Sequence, residues 1–246
     1  MSISRRKLIT TSLATVAGAA GLGAAARIAE RYGLIPPGDG TLYAIGDSLT
    51  YASHRLLTKH SMAREFSKSQ ISSRPLANEM RPLNDDFKRL QAGGFADWRL
   101  AVDGMVDRPG VFSLAELKSL PSHTQITQLQ CEEGWSYIAE WSGVRLSHLL
   151  DLVGTRQQAK YVAYYSFDRD WWDSIDMADA LHPQTLLTYG MNGSDLPVGH
   201  GGPLRVRVPR QLGYKSVKFI TRVTVTDDLK KVGVYPTSSY SWYAGI

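Results

Sequence analysis

One cysteine, Cys131, stands among the 246 residues of this chain, and that single count removes whole classes of fold. A lone thiol forms no internal disulfide, so a small stapled scaffold is excluded, and it cannot build a zinc site from cysteines. The fold must rest on an apolar core. The one sulfur is then free to pack as a small hydrophobe, or to give one thiolate to a metal held mainly by something else. The surroundings argue for the second. In Gln128-Leu-Gln-Cys131-Glu-Glu-Gly-Trp135-Ser-Tyr-Ile-Ala-Glu-Trp141-Ser-Gly143 two carboxylates and a glycine follow the sulfur at once, where a core strand would alternate apolar residues.

The pattern along the chain is α+β, with more strand than helix and no regular alternation of the two. Residues 27–60 read as a polar lead-in, broken at Pro36-Pro37-Gly38. Asn84, with acids after it, bases later and Gly93 as a stop, predicts a helix over 84–93 in the order the helix dipole favours. Ser113 and Glu116 form a capping box that opens a helix ended by Pro121. A further helix over 146–153 closes at Gly154. Strands are expected over 98–103, 125–131, 161–167, 204–208 and 217–225. No repeat or low-complexity tract interrupts residues 61–246, which read as one domain.

Residues 1–26 read as an export signal, with Arg5, Arg6 and Lys7 ahead of a weakly apolar stretch and an Ala-rich end. The arginine pair after Ser4 resembles the twin-arginine class, whose cargo crosses the membrane already folded. That class implies the twin-arginine export machinery and a periplasmic destination. The Gly, Ala and Thr content makes the same stretch a poor membrane anchor. Residues 27–246, 220 in all, suffice for one domain with a substantial core. Without the three signal cations, 25 Lys and Arg face 23 Asp and Glu, a balance too even for a nucleic-acid partner. No Cys-x-x-Cys-His is present, so the chain attaches no c-type haem of its own.

The second informative stretch is Leu196-Pro-Val-Gly-His200-Gly-Gly-Pro-Leu-Arg205-Val-Arg207-Val-Pro-Arg210-Gln-Leu-Gly213-Tyr-Lys215-Ser216-Val217-Lys218. Between Leu196 and Thr226 there are six Lys or Arg and no acid. Glycines beside His200 let the backbone approach a ligand, Arg205 offers a planar fork for a phosphate, and Lys218 a point charge. By composition alone the run is equally a solvated basic face on a hairpin. Arg207, two positions along the same strand as Arg205, is expected to face solvent.

Taken together, the two stretches resemble the sulfite-oxidase-like molybdopterin-dependent oxidoreductases, which include sulfite oxidases and dehydrogenases and the catalytic subunits of periplasmic methionine-sulfoxide reductases. The resemblance spans roughly residues 95–246. It implies a single-domain molybdopterin-binding fold of mixed β-sheets with short helices, and the cofactors molybdenum and molybdopterin. In that family pattern Cys131 is the protein's metal ligand. His200 and Arg205 fall on the pterin phosphate region, and Ser216, Val217 and Lys218 on the tripeptide that also contacts it. Ser166 falls on a pterin-contacting position, and Arg64 and Glu65 match an N-terminal contact. Glu133 lies on the same side as Cys131 if the segment is extended, to hydrogen-bond near the metal or relay a proton; a surface carboxylate is the equal alternative. Trp135 and Trp141 read as packing that walls the pocket. Tyr164, Tyr165, Trp171 and Trp172 are candidates for the substrate mouth.

The chain departs from the sulfite oxidases, which place arginine a few residues after the cysteine; here stand Glu132, Glu133, Gly134, Trp135 and Ser136. Acids repel a sulfite dianion, so a neutral S-oxide or N-oxide is favoured as the small-molecule substrate, with sulfite as the alternative. Lacking a haem motif, the chain is expected to exchange electrons with a separate cytochrome. A rival from a different class is Gly46-Asp47-Ser48-Leu49, which resembles the block of a Ser-nucleophile esterase family. Ser48, Asp179 and His182 would supply nucleophile, acid and base. A mid-chain Asp-x-x-His followed by a long basic β-region counts against it.

Overall fold

The computed structural model describes residues 27, 34–37, 44–78, 82, 84–168, 171–229, 231–234 and 240–246. The export-signal reading of residues 1–26 lies outside them. The chain divides into two compact units, Met1–Thr58 and Lys59–Ile246. In the first, helix α1 (Ala44–Leu57) has Asp47 in its first turn and His54 and Arg55 in its last, which suits the dipole. The lead-in is therefore not uniformly irregular. Its polar, glycine-bearing composition hid a helix whose charges sit at the favourable ends.

In the second unit, local rules account for the helices. Helix α2 (Asp85–Ala92) is capped by Asn84, whose side chain accepts from the Phe87 amide at 2.8 Å. Strands β1 (Arg99–Gly104) and β2 (Gly110–Ser113) lead into α3 (Leu114–Ser119). There Ser113 Oγ accepts from the Glu116 amide at 3.2 Å, and the Ser113 amide donates to the Glu116 carboxylate at 2.7 Å. After β3 (Ser122–Gln130) and β4 (Ser136–Arg145) comes α4 (Leu146–Val153), closed by Gly154 at φ 72°. The rest is β5 (Tyr161–Ser166), β6 (Trp172–Asp176), α5 (Met177–Ala180), β7 (Leu186–Met191), β8 (Ser194–Asp195), β9 (Arg205–Arg207) and β10 (Ile220–Thr226).

These strands make two five-stranded sheets, one ordered β2-β1-β10-β5-β6, the other β3-β4-β7-β8 with β9 also on β7. Strands β1 and β10 run parallel; the other pairings are antiparallel. The result is the α+β arrangement of mixed sheets with short helices expected from the sequence. Its main core draws Leu100, Val162 and Val223 from the first sheet, Val144, Leu187 and Val206 from the second, and Leu117, Leu146, Leu149 and Leu150 from α3 and α4. A smaller cluster of Leu129, Tyr137, Ala139, Trp141, Met191 and Leu196, with Trp135 against it, forms on the second sheet. That second cluster underlies the site.

The start of the last strand differs from the sequence reading, and β4 carries an irregularity. Strand β10 starts at Ile220, not 217, because Gly213–Lys215 is a short 3-10 turn and Phe219 takes φ 57°. Strand β4 alternates cleanly until a register shift against β7 between Ser142 and Gly143. Gly143 permits that shift, since a Cβ there would lie 2.1 Å from the Leu187 carbonyl oxygen. A Gly143→Ala variant should lose about 3 kcal/mol of stability through forced strand separation, read as a lowered urea midpoint at unchanged slope. An unchanged midpoint would show that β7 yields without cost.

Candidate functional site

Strands β3 and β4 form a hairpin whose tip, residues 131–135, carries the cysteine. The Cys131 amide donates to the Trp135 carbonyl at 2.9 Å and the Gly134 amide to the Cys131 carbonyl at 3.1 Å, with Gly134 at φ 89°. The segment is a tight turn, not extended, so strand parity does not decide where Glu133 points. Both carboxylates nevertheless reach the sulfur, Glu132 Oε2 at 3.4 Å and Glu133 Oε2 at 3.7 Å. Trp135 Nε1 donates to the same Glu133 oxygen at 2.8 Å and holds it at the exposed edge. Burial first, then the two acids, push the free thiol up to about 12. Burial and the acids disfavour a free thiolate here, and a cation at the sulfur would offset both, which suits a metal ligand.

Facing the tip is a cavity of about 410 Å³ lined by Cys131, Glu132, Trp135, Tyr137, Ser166, His200, Arg205, Ser216, Val217 and Lys218, among others. Of the sequence-derived candidates, Cys131, Ser166, His200, Arg205, Ser216, Val217 and Lys218 thus meet around one space; Glu133 is not on the lining but is bonded to Trp135, which is. Arg64 and Glu65 do not line it. Arg64 stacks over the Phe66 ring at 4.9 Å, and Glu65 bridges to Thr127 and accepts from Gln184 at 3.1 Å. Their short motif is used to extend the β3 edge. Leu76, Ala77 and Asn78 take the N-terminal place on the lining. They escaped the sequence reading because no charge or glycine pattern marks them, although Lys218 Nζ donates to Asn78 Oδ1 at 2.5 Å.

The six basic residues of the second stretch divide evenly. Arg210 pairs with Asp179 at 3.3 Å, Lys215 with Asp173 at 2.5 Å and Arg222 with Asp103 at 2.8 Å. Arg205, Arg207 and Lys218 meet no carboxylate among the described residues. The solvated-face reading fails for most of the run, and so does the outward placement of Arg207. That side chain is 0% exposed, because all three β9 residues are buried. It donates to the Gln128 carbonyl and, at 3.5 Å, to Ser216 Oγ, so it ties the cysteine-bearing strand to the basic loop. Arg205 donates to the carbonyls of His200 at 2.8 Å and Ser216 at 2.6 Å, lies over the Trp141 ring at 5.5 Å, and keeps a buried Nε without a partner.

This wall fits an anion. Burial, then Arg205, lowers Lys218 to about 7; burial, then Arg205 and Lys218, lowers His200 to about 4. Bringing positive groups together in a buried wall without acids is costly unless a negative group enters. Gly201, at φ 107°, also gives Lys218 room, since a Cβ there would stand 2.8 Å from the lysine side chain. The basic wall therefore suits a phosphate and Cys131 a metal, with Ser166, Ser216 and Val217 on the same lining. The donor set fits molybdopterin carrying molybdenum. Of the aromatic candidates, Trp171 and Trp135 reach the lining. Tyr164 is buried and donates to the Lys215 carbonyl at 2.7 Å, while Tyr165 and Trp172 stack on each other at 5.4 Å. Trp141, 0% exposed, is packing as expected.

The hydrolase constellation is not assembled. Ser48 lies within helix α1, not at the strand-to-helix turn a nucleophile block requires. Asp179 accepts from Arg210 and from Gln211 Nε2 at 2.5 Å. His182 has both ring nitrogens engaged, with the Ser61 carbonyl at 3.2 Å and the Gln184 amide at 3.3 Å. These are structural roles.

Residues 89–232 match the family model described as "Oxidoreductase molybdopterin binding domain". The chain is 38% identical over 190 residues to a putative protein-methionine-sulfoxide reductase subunit YedZ1 of Azospira oryzae, covering 77% of this chain and 70% of that one. It is 31% identical over 179 residues to the protein-methionine-sulfoxide reductase catalytic subunit MsrP of Xanthomonas axonopodis pv. citri, where 66% of this chain spans 56% of the relative. The solved sulfane dehydrogenase SoxCD of Paracoccus pantotrophus superposes with a TM-score of 0.53 over 72% of this chain and 46% of that one, at 22% identity. That likeness concerns the fold.

Cofactor retention tests the wall. Arg205→Ala should lose about 2–5 kcal/mol of cofactor binding, read as pterin fluorescence released on denaturation. Arg222→Ala, an exposed partner of Asp103, is the control. Cys131→Ser should keep its pterin and lose the sulfur signature of the metal in X-ray absorption. Full pterin content in Arg205→Ala would show that the unpaired guanidinium serves something else.

Proposed function

This chain belongs to the oxidoreductase molybdopterin-binding domain family and is a molybdenum-dependent oxidoreductase, and we propose that it is an exported S-oxide reductase supplied with electrons by a separate cytochrome. The observation that supports this substrate best is the polarity of the cavity. Glu132 and Glu133 crowd the sulfur of Cys131, with no arginine in the turn around it. A sulfite dianion entering there meets like charge, whereas a neutral S-oxide does not. Trp135 and Trp171 on the lining offer apolar faces to a thioether. The two methionine-sulfoxide reductase relatives point the same way by name.

In this reading Arg205, His200 and Lys218 hold the phosphate, and Ser166, Ser216 and Val217 flank the pterin. Cys131 gives its thiolate to the metal. The cofactor, when bound, supplies the two-electron exchange of an oxygen atom. Reduction of an S-oxide also takes up two protons and releases water. Glu133, exposed and oriented by the Trp135 indole, lies where solvent protons reach the cavity edge. Electrons come from outside the chain, because one cysteine and no haem-attachment motif leave it no relay centre of its own. Residues 1–26 send the folded, loaded protein through the twin-arginine route to the periplasm.

Steady-state assays on molybdenum-loaded protein decide the substrate. Reduced viologen dye should be oxidised rapidly by methionine sulfoxide, while sulfite with ferricyanide should give only background turnover. The reverse result would replace the S-oxide by sulfite and leave the cofactor untouched. For export, Arg5→Lys with Arg6→Lys should retain the loaded protein in the cytoplasm on cell fractionation. Unaltered periplasmic yield would remove the twin-arginine route.

A further inference from the structure

Tyr137 was not among the sequence-derived site residues, yet its hydroxyl stands between two that were. It lies 3.2 Å from His200 Nδ1, with the rings edge to face at 69° and centroids 5.6 Å apart. The Arg205 guanidinium lies beside the same phenol, and both pack on the Trp141 ring. A cation attracts the phenol oxygen and repels its proton, so the single O–H turns toward the other neighbour. His200 Nδ1 must then be an acceptor, and a neutral imidazole with Nδ1 accepting carries its proton on Nε2.

The rest of the geometry keeps this arrangement in place. The Tyr137 ring is stacked on Trp135 at 6.1 Å and 8°, and packed on Trp141 at 6.0 Å and 39°, so it cannot swing away from the imidazole. The groups facing His200 are Tyr137 from β4, Arg205 from β9 and Lys218 from the loop before β10; two are cations and none is an acid. Burial and those cations hold the ring neutral, down to about 4. Nε2 has no partner among the described residues, and His200 lines the cavity.

We propose that Tyr137 is a positioning residue for the cofactor, locking His200 as an uncharged Nε2–H donor aimed at the phosphate end of the cavity. The inference rests on molybdopterin occupying that cavity. It gives the phosphate a directional hydrogen bond beside the charges of Arg205 and Lys218. It also removes from His200 the alternative of donating through Nδ1, which would leave Nε2 facing an anion with a lone pair.

Magnetic resonance of the full-length, cofactor-loaded protein with isotope-labelled imidazoles reads the tautomer directly. The chain has six histidines, and His200 is assigned by the signals lost in His200→Gln. Wild type should show His200 as the Nε2–H tautomer. Tyr137→Phe, which keeps the ring in its stack, should mix the tautomers and lower pterin retention by ~2–10-fold, the range for one lost hydrogen bond. In a His200→Gln background the same change should cost nothing further. A wild-type proton on Nδ1, an unaltered tautomer in Tyr137→Phe, or additive losses in the double variant would each overturn the role of Tyr137. Wild-type protein carrying no pterin at all would overturn the cofactor reading itself.

Discussion

Everything at the site turns on a buried guanidinium that the protein does not neutralise. Arg205 is 3% exposed, spends donors on two backbone carbonyls, rests on Trp141, and meets no carboxylate among the described residues. Arg207 lies on the same indole at 5.3 Å and is equally without an acid; burial, then Arg205, lowers it to about 9. Two cations in one dry layer raise the free energy of the empty fold. An anion that binds only the folded state recovers that cost, so cofactor binding and stability are linked.

The contrast with the neighbouring basic residues gives this asymmetry its meaning. Lys215 and Arg210, three and five positions from Lys218 and Arg205, are as buried but have Asp173 and Asp179 opposite. Their work is to anchor the loop. Lys215 ends the short turn that delivers Ser216, Val217 and Lys218, and its carbonyl accepts from Tyr164. Arg207 then joins that loop to the β3 strand through Ser216 and Gln128, three residues before Cys131. One guanidinium thereby links the basic loop to the strand that leads into the cysteine. A change there should disturb both, which no surface arginine would do.

The polarity of the cavity suits a ligand with a phosphate and a metal. The wall of His200, Arg205 and Lys218 attracts a phosphate, while the hairpin tip, with Glu132 and Glu133 around a thiol of raised pKa, favours a cation at the sulfur. A ligand charged oppositely at its two ends satisfies both, as a phosphate-bearing cofactor holding a metal does. In the proposed function the same acids discourage an anionic substrate.

Local chemistry was legible in the chain itself. The Asn84 cap, the Ser113–Glu116 box and the Gly154 stop are contacts between near neighbours, and each formed as the residue order dictates. Cys131 and the His200-to-Lys218 run were equally legible as chemistry, because their residue types and spacing are unusual whatever surrounds them. What the chain could not disclose was which cation would find a carboxylate. Asp173 and Asp179 lie 42 and 31 positions from Lys215 and Arg210, and only packing of the sheets brings them together and leaves Arg205, Arg207 and Lys218 unmatched. The same holds for Tyr137 on His200, Asn78 on Lys218 and the buried face of Arg207. Charge compensation is a long-range sum over the folded chain, whereas a cap or a turn is settled within a few residues.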